Sequence, residues 1–308
     1  MAHLPVMYTE ALAALRIKAE GTYLDCTFGR GGHSGGILKQ LNQQGRLLAF
    51  DRDAEAVNSE IAQQLRTDSR FSLQQCWFSQ LRTVIETKGW TGQIDGILLD
   101  LGVSSPQLDN PERGFSFLKQ GPLDMRMDRN TGLSAAQWLA TVDERELRQV
   151  LFDYGEERFA RRIAKAIVTA RSQTAINTTL ELVSIISNAV PMTEKHKHPA
   201  TRSFQAIRIA VNQELDEIKA VLQQATAVLK PGGRLVVIAF HSLEDRIVKR
   251  FIRHESGHRH TIGRLPIKEA DIQQGQLQTV GKALRASVEE VALNPRARSA
   301  IMRIAQRN

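Results

Sequence analysis

Three short apolar runs, each closing on an aspartate, constrain this chain more than any other feature: Tyr23-Leu24-Asp25, Leu47-Leu48-Ala49-Phe50-Asp51 and Ile97-Leu98-Leu99-Asp100. Short apolar runs bounded by turn chemistry are strands buried on both faces, and such strands belong to parallel sheets covered by helices. Segments of helical length, Gly35 to Gln43 and Ala54 to Leu65, follow the first two runs. The pattern thus alternates β and α as a doubly wound sheet requires. A further strand is expected around Phe71 to Leu73, leading to Trp77-Phe78. Ligands in such sheets bind beyond the strands' carboxyl ends, where Asp25, Asp51, Phe78 and Asp100 all fall.

The turn after the first strand is rich in glycine, at positions 29, 31 and 32. Those residues permit positive φ and let a ligand approach main-chain N–H groups that a Cβ would screen. Asp51 stands about 20 residues further on, at the position of a ribose-binding acid in a Rossmann-like unit, so the pair points to a nucleotide-type cofactor. Position 34 is Ser, so the third glycine of a dinucleotide fingerprint is missing. Asp25, close before Gly29, would repel a pyrophosphate but favour the ammonium and sulfonium of S-adenosylmethionine. S-adenosylmethionine is therefore the expected cofactor, with Asp51 accepting from its ribose hydroxyls and Phe78 offering an apolar face to its adenine.

With 308 residues and 42% hydrophobic content the chain can bury a sizeable core. No apolar run approaches the roughly 20 residues of a membrane helix, and Met-Ala-His-Leu-Pro does not begin a secretory signal, so a cytoplasmic protein is expected. Cys26 and Cys76 alone suggest neither a disulfide framework nor a zinc ribbon, and no metal site is expected. Forty-one Lys and Arg against 33 Asp and Glu give a formal charge of +8, which favours a polyanionic partner.

After Gln107 strands give way to helices, with start signals from Ser134 to about Pro191. Thr141 with Glu144 and Thr178 with Glu181 have capping-box form, and Tyr154-Gly155 reads as a helix stop. From Glu156 to Arg171, Phe159, Ile163, Ile167 and Ala170 share one face while Arg158, Arg161 and Lys165 point elsewhere. Phe204, Ile207, Val211, Leu215, Ile218, Leu222 and Leu229 then recur at helical spacing, as one long or two abutting helices, until Lys230-Pro-Gly-Gly233. Arg234 to Phe240 is a buried strand, so the sheet resumes. Ser242 with Asp245 suits a helix start, 254–291 looks loop-rich, and Ala300 to Ala305 suits a last strand. The organisation expected is a discontinuous α/β domain over 1–108 and 205–308, interrupted by a helical domain over 109–204.

Several blocks are long and distinctive: Thr27 to Ser34, Asp100-Leu-Gly-Val-Ser-Ser-Pro-Gln107, Arg113 to Phe117, Gly121-Pro-Leu-Asp-Met-Arg-Met-Asp128, Tyr154 to Phe159, His198 to Arg202, Phe240-His-Ser-Leu-Glu-Asp-Arg246 and Asn294 to Ser299. Together they resemble the bacterial small-subunit ribosomal RNA cytosine-N4-methyltransferases over nearly the whole chain. The resemblance implies a Rossmann-like S-adenosylmethionine-dependent methyltransferase sheet with an inserted all-helical substrate-recognition domain. It also implies a cytidine in the decoding region of 16S rRNA, within the small subunit, as substrate. On matching positions, the family's cofactor contacts fall on Gly31, Gly32, His33, Asp51, Phe78, Asp100 and Gln107.

Chemistry at an exocyclic amine needs acceptors that orient its N–H groups, because its lone pair is delocalised into the ring. Asp100 and Asp124 are the candidates for orienting the amine or relaying its proton, with Ser105 and His241 as secondary ones. Salt-dependent rRNA affinity is expected from Arg158, Arg161, Arg162, Lys195, Lys197, Arg202, Arg296 and Arg298. Two other functions compete. His254-Glu-Ser-Gly-His258 fits the H-E-x-x-H zinc pattern, with His260 close by. A non-catalytic RNA-binding ribosome-assembly factor could share the fold. The sequence leaves open a monomer or a homodimer.

Overall fold

The computed structural model describes residues 5–191, 198–257 and 275–308. They form two compact units, residues 1–102 with 215–308, and residues 103–214.

The first unit is an eight-stranded sheet. Its strands are β1 (Thr22–Asp25), β2 (Arg46–Asp51), β3 (Phe71–Gln75), β4 (Ile94–Asp100), β5 (Leu229–Ala239), β6 (Leu277–Thr279), β7 (Leu284–Arg285) and β8 (Ile301–Arg307). The order is β3-β2-β1-β4-β5-β8-β6, with β7 also paired to β8. From β3 to β5 every pairing is parallel, while β8 runs antiparallel to β5, β6 and β7. In register, Leu24 lies between Leu48 and Ile97, so the aspartates ending β1, β2 and β4 come out on one edge. Leu24, Leu47, Leu48, Ile97, Leu98 and Leu99 are fully buried, which accounts for runs that are apolar throughout instead of alternating. Burying each such side chain contributes about 1.5–3 kcal/mol.

The helices deviate from sequence expectation where a side chain offers a better cap. The segment from Ala54 to Leu65 is two short helices, because Ser59 turns its hydroxyl to the Ala62 N–H and starts a second one. The helix after β5 runs Ser242–Glu255, with His241 as its N-cap and Glu244 as the reciprocal partner in place of Ser242 and Asp245. Asp245 instead takes both arms of the Arg303 guanidinium from β8, at 2.6 and 3.0 Å. The loop-rich stretch carries β6, β7 and a short helix, Val288–Leu293; residues 258–274 lie outside the described residues.

The second unit is helical: Ala135–Thr141, Glu144–Gly155, Ala160–Arg171, Thr179–Ala189 and Ala200–Asn212 enclose their own core, with Leu147, Leu151, Ile163, Ile167, Leu182, Ile186 and Ile207 all fully buried. The Thr178–Glu181 capping box forms as expected, whereas Thr141 ends one helix and Asp143 caps the next. Glu156 adopts φ 48°, which stops the helix at Gly155 and delays the next one to Ala160. The unit ends at Glu214, not near residue 204, because Ala200–Asn212 packs Phe204, Ile207 and Ala206 into this core. Gln213, at φ 51°, separates it from Glu214–Val228, so the long apolar period is two abutting helices. Among the described residues no helix is long and apolar enough to cross a membrane.

Candidate active site

The glycine turn is held by the carboxylates around it. Asp25 is fully buried and accepts from Ser34 Oγ at 2.6 Å and from the Thr27 N–H at 3.1 Å. Thr27 Oγ1 in turn accepts the Asp100 N–H at 2.7 Å, tying the turn to the end of β4. Burial raises the Asp25 pKa, partly offset by the bonds from Ser34 and Thr27. Asp25 therefore fixes the loop from beneath.

Asp51 does the same from the second strand. Its carboxylate accepts the Gly29 N–H at 2.7 Å and the Asp53 N–H at 2.9 Å, and desolvation outweighs both to push its pKa up to about 6. Gly31 has φ 70° and no room for a side chain, since a Cβ would stand 2.9 Å from the Phe28 ring. Phe78 opens a 3-10 turn beyond β3 and is partly buried. Its neighbour Trp77, not singled out from sequence, has the Arg52 guanidinium 5.1 Å over its ring.

His33 lies in the first turn of the helix Gly32–Leu38 and is 4% exposed. Its ring stacks on Tyr8 with centroids 6.0 Å apart. Nδ1 stands 3.6 Å from Asp100 Oδ2, while Nε2 is buried without a hydrogen-bond partner among the described residues. Burial pushes the His33 pKa down to about 4, so the imidazole is neutral at pH 7. Asp100 moves the opposite way: desolvation, then the like charges of Asp25, Glu244 and Glu290, raise its pKa well above the ordinary carboxylate value. A neutral imidazole thus lies beside a carboxyl that holds its proton unusually tightly, at the sheet's carboxyl edge.

His241 follows β5, with Nε2 3.1 Å from Oε1 of the buried Glu244. Ser105, Gln107 and Asp124 belong to the helical unit. Ser105 is the first residue of the helix Ser105–Asp109, and Gln107 is buried with Oε1 accepting the Ser104 N–H at 2.9 Å, so the amide caps the helix. Asp124 accepts Arg126 Nε at 2.8 Å, Nη2 at 2.9 Å and its N–H at 3.0 Å. Burial works to raise its pKa, but the Arg126 bonds prevail and hold it below the ordinary value. In the structure this carboxylate holds its own turn together through Arg126. The same holds for its block: buried Arg113 donates to the Arg126 and Met127 carbonyls, and Asn212 bridges the Met127 N–H and the Met125 carbonyl. The helix of the zinc motif ends at Glu255, Gly257 is left-handed at φ 82°, and His254 Nδ1 meets Glu255 at 2.9 Å; His258 and His260 lie outside the described residues.

A parallel sheet ordered β3-β2-β1-β4-β5, a glycine turn after β1 and an acid closing β2 define a Rossmann-like α/β fold whose ligand site lies beyond the carboxyl ends of the strands. The model of the MraW methylase family matches residues 1–308, and the chain belongs to that family. A protein of Hydrogenovibrio crunogenus named ribosomal RNA small subunit methyltransferase H is 55% identical over 305 residues, spanning 99% of this chain and 96% of its own. One of the same name from Thiobacillus denitrificans is 56% identical over 306 residues, with 99% and 97% covered.

Proposed function

We propose that this enzyme transfers the methyl group of S-adenosylmethionine to the exocyclic N4 of a cytidine in the decoding region of 16S rRNA, within the small ribosomal subunit. It would act in the cytoplasm, where those particles are built. The names of its relatives support the rRNA substrate. The observation that carries the chemistry is Asp100, whose Oδ1 has no hydrogen-bond partner among the described residues at the carboxyl edge of β4.

The donor site comprises Gly31, Gly32, His33, Asp51, Phe78 and Asp100. Asp51 accepts from the ribose hydroxyls, Phe78 covers the adenine, and the amides freed by Gly31 and Gly32 approach the methionine portion. A sulfonium bound near Asp100 favours its ionised form, so arrival of the donor readies the carboxylate to accept. The carboxylate then takes one N4 hydrogen in a hydrogen bond and turns the nitrogen lone pair towards the methyl carbon. The C–N bond forms as the S–C bond breaks, leaving S-adenosylhomocysteine, and the N4 proton, acidic once nitrogen is alkylated, passes to Asp100 or to water. Alignment at near-attack distance supplies on the order of 7 kcal/mol or more of the barrier reduction. Arg158, Arg161, Arg162 and Lys165 of the helical domain are exposed, a cationic face suited to phosphates, which supports its reading as the substrate-recognition domain.

Labelled S-adenosylmethionine incubated with unmethylated small subunits or with naked rRNA, followed by nucleoside analysis, tests this. Label in N4-methylcytidine is the expected result. Label in another nucleoside refutes the target atom, and donor binding without transfer to either substrate favours the assembly-factor function.

A further inference from the structure

The segment Pro5–Tyr8 lies against the glycine turn in three ways. A Cβ at Gly32 would stand 2.3 Å from Pro5 Cγ, and one at Gly36 2.6 Å from Tyr8 Oη, so the strap fills the space that those two glycines leave on one face of their helix. Tyr8 stacks on the His33 ring. Between these contacts Met7 is fully buried at φ 52° and ψ 37°, a left-handed conformation that costs a non-glycine residue about 1 kcal/mol or more. Something must hold it there.

Its holder comes from the other end of the chain. The Met7 N–H donates to Glu290 Oε1 at 2.7 Å. Glu290 sits in the short helix Val288–Leu293, which Ser287 caps through the Glu290 N–H at 3.1 Å, while Ala286 and Val291 pack against the core cluster that contains Val6 and Met7. The carboxylate is thus aimed from an anchored element at the one strained amide of the strap.

We infer that Glu290 is a positioning residue of the donor site: by accepting the Met7 amide it locks the strap that seats Pro5 on Gly32 and orients the His33 ring. This rests on the glycine turn being the site of S-adenosylmethionine. Glu290 touches the strap and not the donor; its charge also bears on Asp100, an effect that Glu290→Ala and Glu290→Gln share, so the difference between the two variants isolates the hydrogen bond to Met7.

The test uses the full chain with Glu290→Ala and Glu290→Gln, measuring S-adenosylhomocysteine binding by calorimetry, the KM and kcat for S-adenosylmethionine, and hydrogen exchange at the Met7 amide. Losing a hydrogen bond to a charged acceptor should weaken binding by about tenfold in Glu290→Ala, raise KM by more than it lowers kcat, and deprotect the amide. Glu290→Gln keeps an acceptor oxygen and should recover most of the affinity. Pro5→Ala, which trims the strap where it meets Gly32, should shift KM in the same direction and serves if Glu290→Ala does not fold. Native affinity in Glu290→Ala, or in Pro5→Ala when it stands in, overturns the inference, as does a Gln variant no better than Ala. If the wild-type protein itself fails to bind the ligand, the donor site falls instead.

Discussion

Replacing Asp51 with asparagine should flatten a pH dependence that the wild-type protein displays when it binds its donor. In the free protein the Asp51 pKa is pushed up to about 6, because burial outweighs the hydrogen bonds from Asp53 and Gly29. Ribose hydroxyls donate to the ionised form, so only that fraction binds well. With a pKa near 6, about one molecule in eleven is ionised at pH 5 and nearly all are at pH 7.5, a tenfold difference in apparent affinity or about 1.4 kcal/mol. His33, pushed down to about 4, does not titrate in this interval. Asp100 responds to a sulfonium, which S-adenosylhomocysteine lacks, and it is present in both proteins, so the difference between wild type and Asp51→Asn isolates Asp51. Calorimetry with S-adenosylhomocysteine at pH 5, 6 and 7.5 reads the effect, and binding near pH 6 should release a fraction of a proton to the buffer. The unliganded fold responds with the opposite sign. A folded pKa raised above the ordinary 3.8 stabilises the protein at low pH, and that contribution is lost as pH rises through about 6. Equal pH dependence in wild type and Asp51→Asn would refute the assignment of Asp51 to the ribose.

Asp100→Asn should lower single-turnover methyl transfer by about a hundredfold or more while changing S-adenosylhomocysteine affinity far less; rapid-quench assay at saturating donor distinguishes the two. Ser34→Ala deletes the 2.6 Å bond to buried Asp25 and should cost about 1–3 kcal/mol of stability in urea titrations. Asn212→Ala strands the Met127 N–H and the Met125 carbonyl and should cost a similar amount, with melting followed by circular dichroism. Reversing Arg161 and Arg162 to Glu should weaken rRNA binding and flatten its slope against log salt, leaving donor affinity unchanged.

The sheet was legible because β1, β2 and β4 are buried on both faces and end on a charged residue, a pattern that tertiary packing does not disguise. Cap positions were less so. Ser242 and His241 are adjacent and each has an acid three residues on, and the choice between them depends on Glu244 being buried while Asp245 is claimed by Arg303 of β8. Sequence also locates a carboxylate without saying which way it faces. Asp25 turned inwards to Ser34, and Asp124 was saturated by an arginine two residues away. The strands at 277–279 and 284–285 are too short to carry a period, and the bond between Met7 and Glu290 joins residues 283 apart, beyond the reach of any local pattern.

The chain leaves the sheet after β4 and returns to it only with β5, once all of 103–214 has been made. At translation rates of about 5–20 residues per second, a ribosome needs roughly 5–25 s to cross that interval. Throughout it, the nascent β4 has a neighbour on one side alone, and the apolar flanks of Ile97, Leu98 and Leu99 await their cover. Synthesis of this protein therefore passes through a window of aggregation risk whose length the helical insert sets, and crowding or chaperone shortage should reduce its yield more than that of a methyltransferase with an uninterrupted sheet.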